Sequence, residues 1–223
     1  MDNIKRYVID YIEGRVDSKA FIEDIQSDPS IIEWLQSVLP DRKKRLSDEI
    51  ITRPDGSWYQ KEIPYIVKDV VEKTLNEPGG ALGNEFELHG IITRLMQEIF
   101  PNEKIVRDLT LKNQYNFILD ACPSYLLSQD IEEAGILERL MQEFPESMPK
   151  TKRIKAFKEK LKSMFYVEGQ RYPRWIQESE WPLSKTGKPT RFLRQQSQCN
   201  GEICDYYFLD IDTGEEIKIT QAY

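Results

Sequence analysis

The sequence has one histidine, three cysteines and no long apolar run, and each shortage excludes something. With His89 alone, no second imidazole exists to complete a metal cluster or to serve another nucleophile, so histidine-paired triads and most zinc sites are excluded. Cys122, Cys199 and Cys204 are an odd set with no CxxC pair, so neither a disulfide framework nor a redox or zinc motif is indicated, and three reduced thiols are expected. No window approaches the roughly 18 uninterrupted apolar residues that a membrane span needs, and Met1-Asp2-Asn3-Ile4-Lys5 opens no leader-like segment. A protein without membrane contact and with a cytoplasmic location is therefore the default. Pro78-Gly79-Gly80 with Gly83 lacks both the Gly-Lys-Ser/Thr ending of a phosphate loop and the GxGxxG spacing of a dinucleotide turn, so it reads as a linker. No cofactor, metal site or catalytic residue is expected.

What is present is an ordinary globular composition: 223 residues, 39% hydrophobic and 31% charged, enough for one domain or two small ones. Ile4, Tyr7, Val8, Tyr11 and Ile12 recur at helical spacing, and Gly14 closes that helix. Ser18 is expected to cap a second helix carrying Phe21, Ile22 and Ile25. A third, with Ile31, Ile32, Trp34, Leu35, Val38 and Leu39, ends at Pro40. Between residues 41 and 64 the periodicity lapses, and Pro54-Asp55-Gly56 predicts a loop or small hairpin, with Trp58 and Tyr59 pinned to the body. Arg42-Lys43-Lys44-Arg45 reads as a solvated helix end. A further stripe, Ile66, Val67, Val70, Val71 and Leu75, predicts another helix after Pro64.

Residues 90–101 and 135–145 echo each other, Gly-Ile-Ile-Thr-Arg-Leu-Met-Gln-Glu-Ile-Phe-Pro against Gly-Ile-Leu-Glu-Arg-Leu-Met-Gln-Glu-Phe-Pro, at a spacing of 45 residues. That spacing admits stacked helical hairpins, with a plain helical bundle as the default. Between the copies, Tyr115, Phe117, Ile118 and Leu119 predict a helix stopped near Cys122-Pro123. From residue 150 the charge changes sign. Residues 150–194 carry 13 Lys and Arg against 4 Glu, whereas residues 1–149 have net charge −11. A helix over 151–165 has Ile154, Phe157, Leu161 and Phe165 on one face and Lys152, Arg153, Lys155, Lys158, Lys160 and Lys162 mostly on the others. Such a helix meets nucleic acid or an anionic membrane, or docks by its apolar face and pairs its lysines with the acidic body, the reading favoured here. The tail alternates with period two over 192–198, 203–210 and 216–222, joined by Asn200-Gly201 and Thr213-Gly214 turns, which predicts a three-stranded antiparallel meander. Asp210-Ile211-Asp212-Thr213-Gly214-Glu215 is a hairpin turn that lacks the third oxygen ligand of a calcium loop. Tyr172, Trp175, Ile176 and Trp181 are its natural cover.

Glu180-Trp181-Pro182 followed by Gly187-Lys188-Pro189-Thr190-Arg191-Phe192-Leu193-Arg194-Gln195 resembles the WP…GxPxxFLxQ signature of the YwqG-like family of bacterial proteins, which often occur in sets with SUKH-type immunity proteins of polymorphic toxin systems. The likeness covers about 45 residues, and Thr190 stands where the family usually has an aliphatic residue. It carries no catalytic residues with it.

The expectation is an α+β protein: a helical body over 1–165 and a small aromatic-rich antiparallel β module over 166–223 packed on it. The expected function is non-enzymatic, a bacterial cytoplasmic interaction protein of immunity type whose acidic helical face neutralises a basic toxin domain. Its candidate binding surface is Tyr172, Arg174, Trp175, Trp181, Lys188 and Arg191. The alternative is nucleic-acid binding by residues 150–194, with Lys155, Lys158, Lys160 and Lys162 on phosphates and Tyr172, Trp175 or Trp181 as stacking platforms.

Overall fold

Apolar spacing of three and four residues runs through most of the chain and gives way to period-two alternation only near the C-terminus; the computed structural model follows that change. It describes residues 2–39, 50–52, 58–60, 67–68, 71, 76, 81–169 and 171–223. Among them are eight α-helices and five strands, an α+β architecture. The helices are α1 (Asp2–Ile12), α2 (Ser18–Ser27), α3 (Ser30–Val38), α4 (Ala81–Ile99), α5 (Thr110–Ala121), α6 (Ser128–Glu133), α7 (Leu137–Glu143) and α8 (Lys150–Met164). Strands β1 (Ile50–Thr52) and β2 (Trp58–Gln60) form a short antiparallel pair, the small hairpin expected there. The C-terminal meander is β3 (Arg191–Gln198), β4 (Ile203–Leu209) and β5 (Glu216–Ala222), in the order β3-β4-β5. The basic run at 42–45, the side chains of Trp58 and Tyr59, Pro54-Asp55-Gly56 and Pro78-Gly79-Gly80 lie outside the described residues, and of the stripe at 66–75 only Val67 and Val71, both buried, lie within them.

The chain divides into two compact units, Met1–Tyr115 and Asn116–Tyr223, with the division inside α5 and not at 165/166. The reason is aromatic packing that the change of periodicity does not reveal. Phe165, at the end of α8, meets Trp181 edge-on at 5.5 Å, and Trp181 in turn meets Tyr125 at 5.8 Å and Phe208 at 5.2 Å. The helices after Tyr115 therefore share one apolar core with the sheet.

In the first unit, α1 to α4 bury Val8, Ile12, Phe21, Ile22, Leu35, Leu88 and Ile92. Tyr11 stacks on Phe21 at 3.8 Å and meets the ring of His89 edge-on at 5.2 Å. Gly14 has φ +73°, and a β-carbon there would lie 3.0 Å from the Asp108 carboxyl, so glycine is required both by conformation and by space. The cap of α2 is Asp17, whose carboxylate accepts from the backbone N–H groups of Lys19 and Ala20, and not Ser18; the shift is one residue upstream. Gly83 is helical, in the first turn of α4, and not part of a linker.

The echoed segments are not a structural repeat. Residues 90–99 form the second half of the 19-residue α4, whereas Gly135, at φ +62°, turns the chain before the seven-residue α7. The shared pattern is that of any amphipathic helix ending at proline.

In the second unit, β4 pairs along its full length with both neighbours, and β3 carries a bulge between Phe192 and Arg194. Cys204, Tyr206 and Phe208 are buried together, as the alternation predicts. Asp205 is also buried, on the other face, where its carboxylate accepts from Thr220 Oγ1 at 2.6 Å, Gln198 Nε2 at 2.6 Å and Lys218 Nζ at 3.0 Å. The turn after β4 is closed by Asp210 Oδ1, which accepts from the N–H of Asp212 at 2.8 Å, with Gly214 at φ +75°. On α8, Phe157 and Leu161 are buried as expected, followed by Phe165. Arg153, expected on the basic face, is buried as well: its Nε donates to the Phe144 carbonyl at 2.7 Å and its guanidinium lies 3.8 Å from the Phe117 ring centre.

Candidate interaction surfaces

Helices α2 and α3 of the first unit expose Glu23, Asp24, Asp28 and Glu33, preceded by the capping Asp17, with Lys19 the one exposed cation in that stretch. None of these five acids forms an ion pair among the described residues. Asp24 accepts from the Tyr7 hydroxyl, and Asp28, accepting from the Ser30 N–H at 2.9 Å, has its carboxyl held below the usual range by that bond. The acids at and just after the end of α1 differ: Asp10 pairs with Arg15 at 2.6 Å and Glu13 pairs with the same guanidinium. Among the described residues the α2–α3 surface thus carries five acids, none of them ion-paired, against the single cation Lys19.

In the second unit an open groove of about 1440 Å³ runs between the loop around Tyr125, the segment 171–179 and the start of β3. Segment 171–179 is held on the sheet by Trp175, which packs on Tyr206 at 4.5 Å and donates its indole N–H to the Tyr125 carbonyl at 2.9 Å. The Tyr206 hydroxyl donates to the Arg174 carbonyl at 2.7 Å, and the Arg174 N–H donates to the Gln195 side chain at 2.7 Å. Gln221, buried in β5, accepts from the N–H groups of Ile176 and Gln177, each at 3.1 Å. Four backbone groups from Arg174 to Gln177 are thereby fixed, with the Arg174 side chain left exposed. Arg171 and Arg174 are exposed and form no ion pair among the described residues. Tyr172, 48% exposed, stacks on Tyr125 at 4.6 Å and 11° to make a flat shelf.

The residues expected to form a binding surface separate into four places. Tyr172, Arg174 and Trp175 line the groove. Trp181 does not reach a surface: it is 3% exposed, its indole N–H donates to the Thr190 carbonyl at 2.9 Å, and its backbone N–H donates to Asp130 at 3.1 Å. It is a core residue because aromatic side chains surround it. Lys188 sits on a turn beside Asp212, at 3.7 Å, and Arg191 is taken up by Glu168 at 3.5 Å and by the Tyr166 ring at 5.1 Å. Sequence reasoning missed Arg171, Gln195 and Tyr125; Arg171 adjoined the chosen stretch, but nothing in the loop at 123–127 marked Tyr125.

The lysines of α8 are divided too. Lys160 pairs with Glu143 at 3.2 Å and Lys162 with Glu159 at 3.0 Å, whereas Lys152, Lys155 and Lys158 form no ion pair among the described residues. His89 is buried, with Nε2 donating to the Ile12 carbonyl at 3.1 Å, and burial lowers its pKa, so the ring is neutral and committed to the fold. The Cys122 thiol is pushed up to about 12 by burial, which holds it as an inert thiol donating to the Leu126 carbonyl at 3.3 Å. Among the described residues no three His, Cys, Asp or Glu side chains gather to hold a metal ion, and no helix is long and apolar enough to cross a membrane. No protein-family model, curated protein or solved structure matches the chain.

Proposed function

We propose that this chain is a non-enzymatic protein–protein interaction protein, in its most concrete form a bacterial immunity-type protein that neutralises a basic toxin domain through its acidic helical face. The observation that supports this reading is the α2–α3 surface, where Glu23, Asp24, Asp28 and Glu33 are exposed without a cationic partner among the described residues. Uncompensated like charges repel one another in the free protein, and a basic partner turns that repulsion into attraction that speeds encounter. The likeness of residues 180–195 to YwqG-like proteins points to the same bacterial setting.

The test is co-purification, at low salt, with the toxin domain encoded beside this chain. Complex formation with an association rate that falls with ionic strength, and falls again in Glu23→Lys/Glu33→Lys, is expected. A neighbouring toxin domain that does not bind, or that binds the charge-reversed variant equally fast, refutes the reading. Nucleic-acid binding by residues 150–194 is a second reading, favoured by Lys152, Lys155 and Lys158 on α8, which form no ion pair among the described residues; a steep fall of DNA or RNA affinity with salt is its signature.

A further inference from the structure

We propose that the groove of the second unit binds an extended acidic peptide segment of a protein partner, which adds to the free edge of β3 and places its carboxylates on Arg171 and Arg174. This site is independent of the α2–α3 surface: it lies in the other unit and has the opposite charge preference. Strand β3 pairs with β4 on one side only. On its other side the chain supplies one residue of pairing. Val167 forms a parallel bridge with Phe192, whose N–H donates to the Tyr166 carbonyl at 2.9 Å and whose carbonyl accepts from the Glu168 N–H at 2.8 Å. Beyond Phe192 no strand pairs with this edge among the described residues, and Gln196, Ser197 and Gln198 are exposed. The groove begins where that pairing stops, with Glu168 and residues 192–195 in its wall. An unpaired edge is a template for main-chain hydrogen bonding by another extended chain, and pockets beside it select alternate side chains.

The side chains opposite the edge define the occupant. Arg171 and Arg174 present planar guanidiniums that form no ion pair among the described residues and are suited to carboxylates. The Tyr172–Tyr125 shelf offers a flat apolar contact between them. Glu178 and Glu168 also line the groove, the latter already paired with Arg191. Carboxylates at these places oppose a polyanion with a phosphate at every unit, whereas a peptide carries negative charge at chosen positions only. This favours an acidic peptide over single-stranded nucleic acid.

The test uses the full-length chain against a displayed library of random 12-residue peptides, followed by fluorescence anisotropy on the selected sequences. Enrichment of Asp and Glu at alternate positions is expected, with affinity falling about tenfold in Arg174→Glu and further in Arg171→Glu/Arg174→Glu, since each charge-assisted contact is worth that much. Both side chains are exposed, so circular dichroism of the variants stays unchanged. Methylating alternate backbone nitrogens of a selected peptide abolishes binding if main-chain pairing carries it. The proposal is overturned if no peptide is selected, if the selected peptides carry no acidic preference, if the double variant or the methylated peptide binds as tightly, or if oligo-dT displaces the peptides from the groove.

Discussion

Replacing Trp181 separates a surface role from a core role more sharply than any other change. Its side chain is 3% exposed and touches Phe165, Tyr125, Phe192 and Phe208, with ring-centre distances of 5.2 to 6.4 Å. Truncating a buried tryptophan to alanine costs about 3–5 kcal/mol in transfer and cavity terms. The Thr190 carbonyl, which accepts from the indole N–H at 2.9 Å, loses its donor as well, for about 1 kcal/mol more. Set against the roughly 5–15 kcal/mol that holds a small domain, Trp181→Ala removes a large share of the second unit's stability. With a urea slope of about 1.5 kcal/mol/M, the combined loss lowers the unfolding midpoint of that unit by roughly 3–4 M at unchanged slope. Trp181→Phe keeps most of the packing and loses the hydrogen bond, so its midpoint falls by about half as much. Urea titrations followed by far-ultraviolet circular dichroism and tryptophan fluorescence read both shifts. A midpoint for Trp181→Ala within about 0.3 M of the parent's would mean that the ring is not in the core, and the packing described above would be wrong.

Arg153→Ala is expected to destabilise by about 2–3 kcal/mol, because it orphans the Phe144 carbonyl and removes the guanidinium from the Phe117 ring, and Arg153→Lys restores little of this; urea midpoints decide. His89 titrates lower in the folded state than unfolded, so the unfolded chain takes up the proton first: its contribution is intact above the ordinary pKa of 6.5 and declines as pH falls below it. His89→Gln flattens that slope, which chemical denaturation across pH 5 to 7.5 measures, on the order of the range around the ordinary imidazole value. Asp212, whose carboxyl is held at about 2 by hydrogen bonds from Ser184 and Thr186, stabilises the fold fully above the unfolded value of 3.8 and loses that effect as pH drops toward 2. Asp212→Asn removes this acid-limb dependence.

The meander was legible because period-two alternation and turn chemistry are local. The expected strand limits differ by one residue at most, since Asp210-Ile211-Asp212-Thr213-Gly214 closes its own turn through Asp210 Oδ1. The helical stripes of α1 to α3 were legible for the same reason. The unit boundary was not: it depends on Phe165, Tyr125 and Trp181 meeting across 56 residues of sequence, and no local pattern encodes such contacts. Arg153 was misplaced because helical spacing sets which way a side chain leaves the helix, not whether an acceptor and an aromatic face await it. The site was half legible. Tyr172, Arg174 and Trp175 adjoin in sequence and in space, but Tyr125 and Gln195 reach the groove only through tertiary folding.

The residues that carry the family likeness are accounted for by the closing of one turn. Leu183 bridges Pro189, Ser184 donates its N–H to the Lys188 carbonyl at 2.8 Å, and Gly187 takes φ +76°. Thr190 donates its N–H and its hydroxyl to the Pro182 carbonyl, at 3.1 and 2.8 Å. That second bond is what the hydroxyl adds where the family usually has an aliphatic side chain, and it satisfies a polar group that is 1% exposed. Asp212 then fastens the turn to the β4–β5 connection through Ser184 Oγ at 2.6 Å. Trp181, Pro182, Gly187, Pro189 and Thr190 are thus used up in building the module, and a motif whose members are all spent on their own turn marks a fold and not a ligand. The proposed peptide site therefore draws on side chains outside that turn, Arg171 and Arg174, which are exposed and form no ion pair among the described residues.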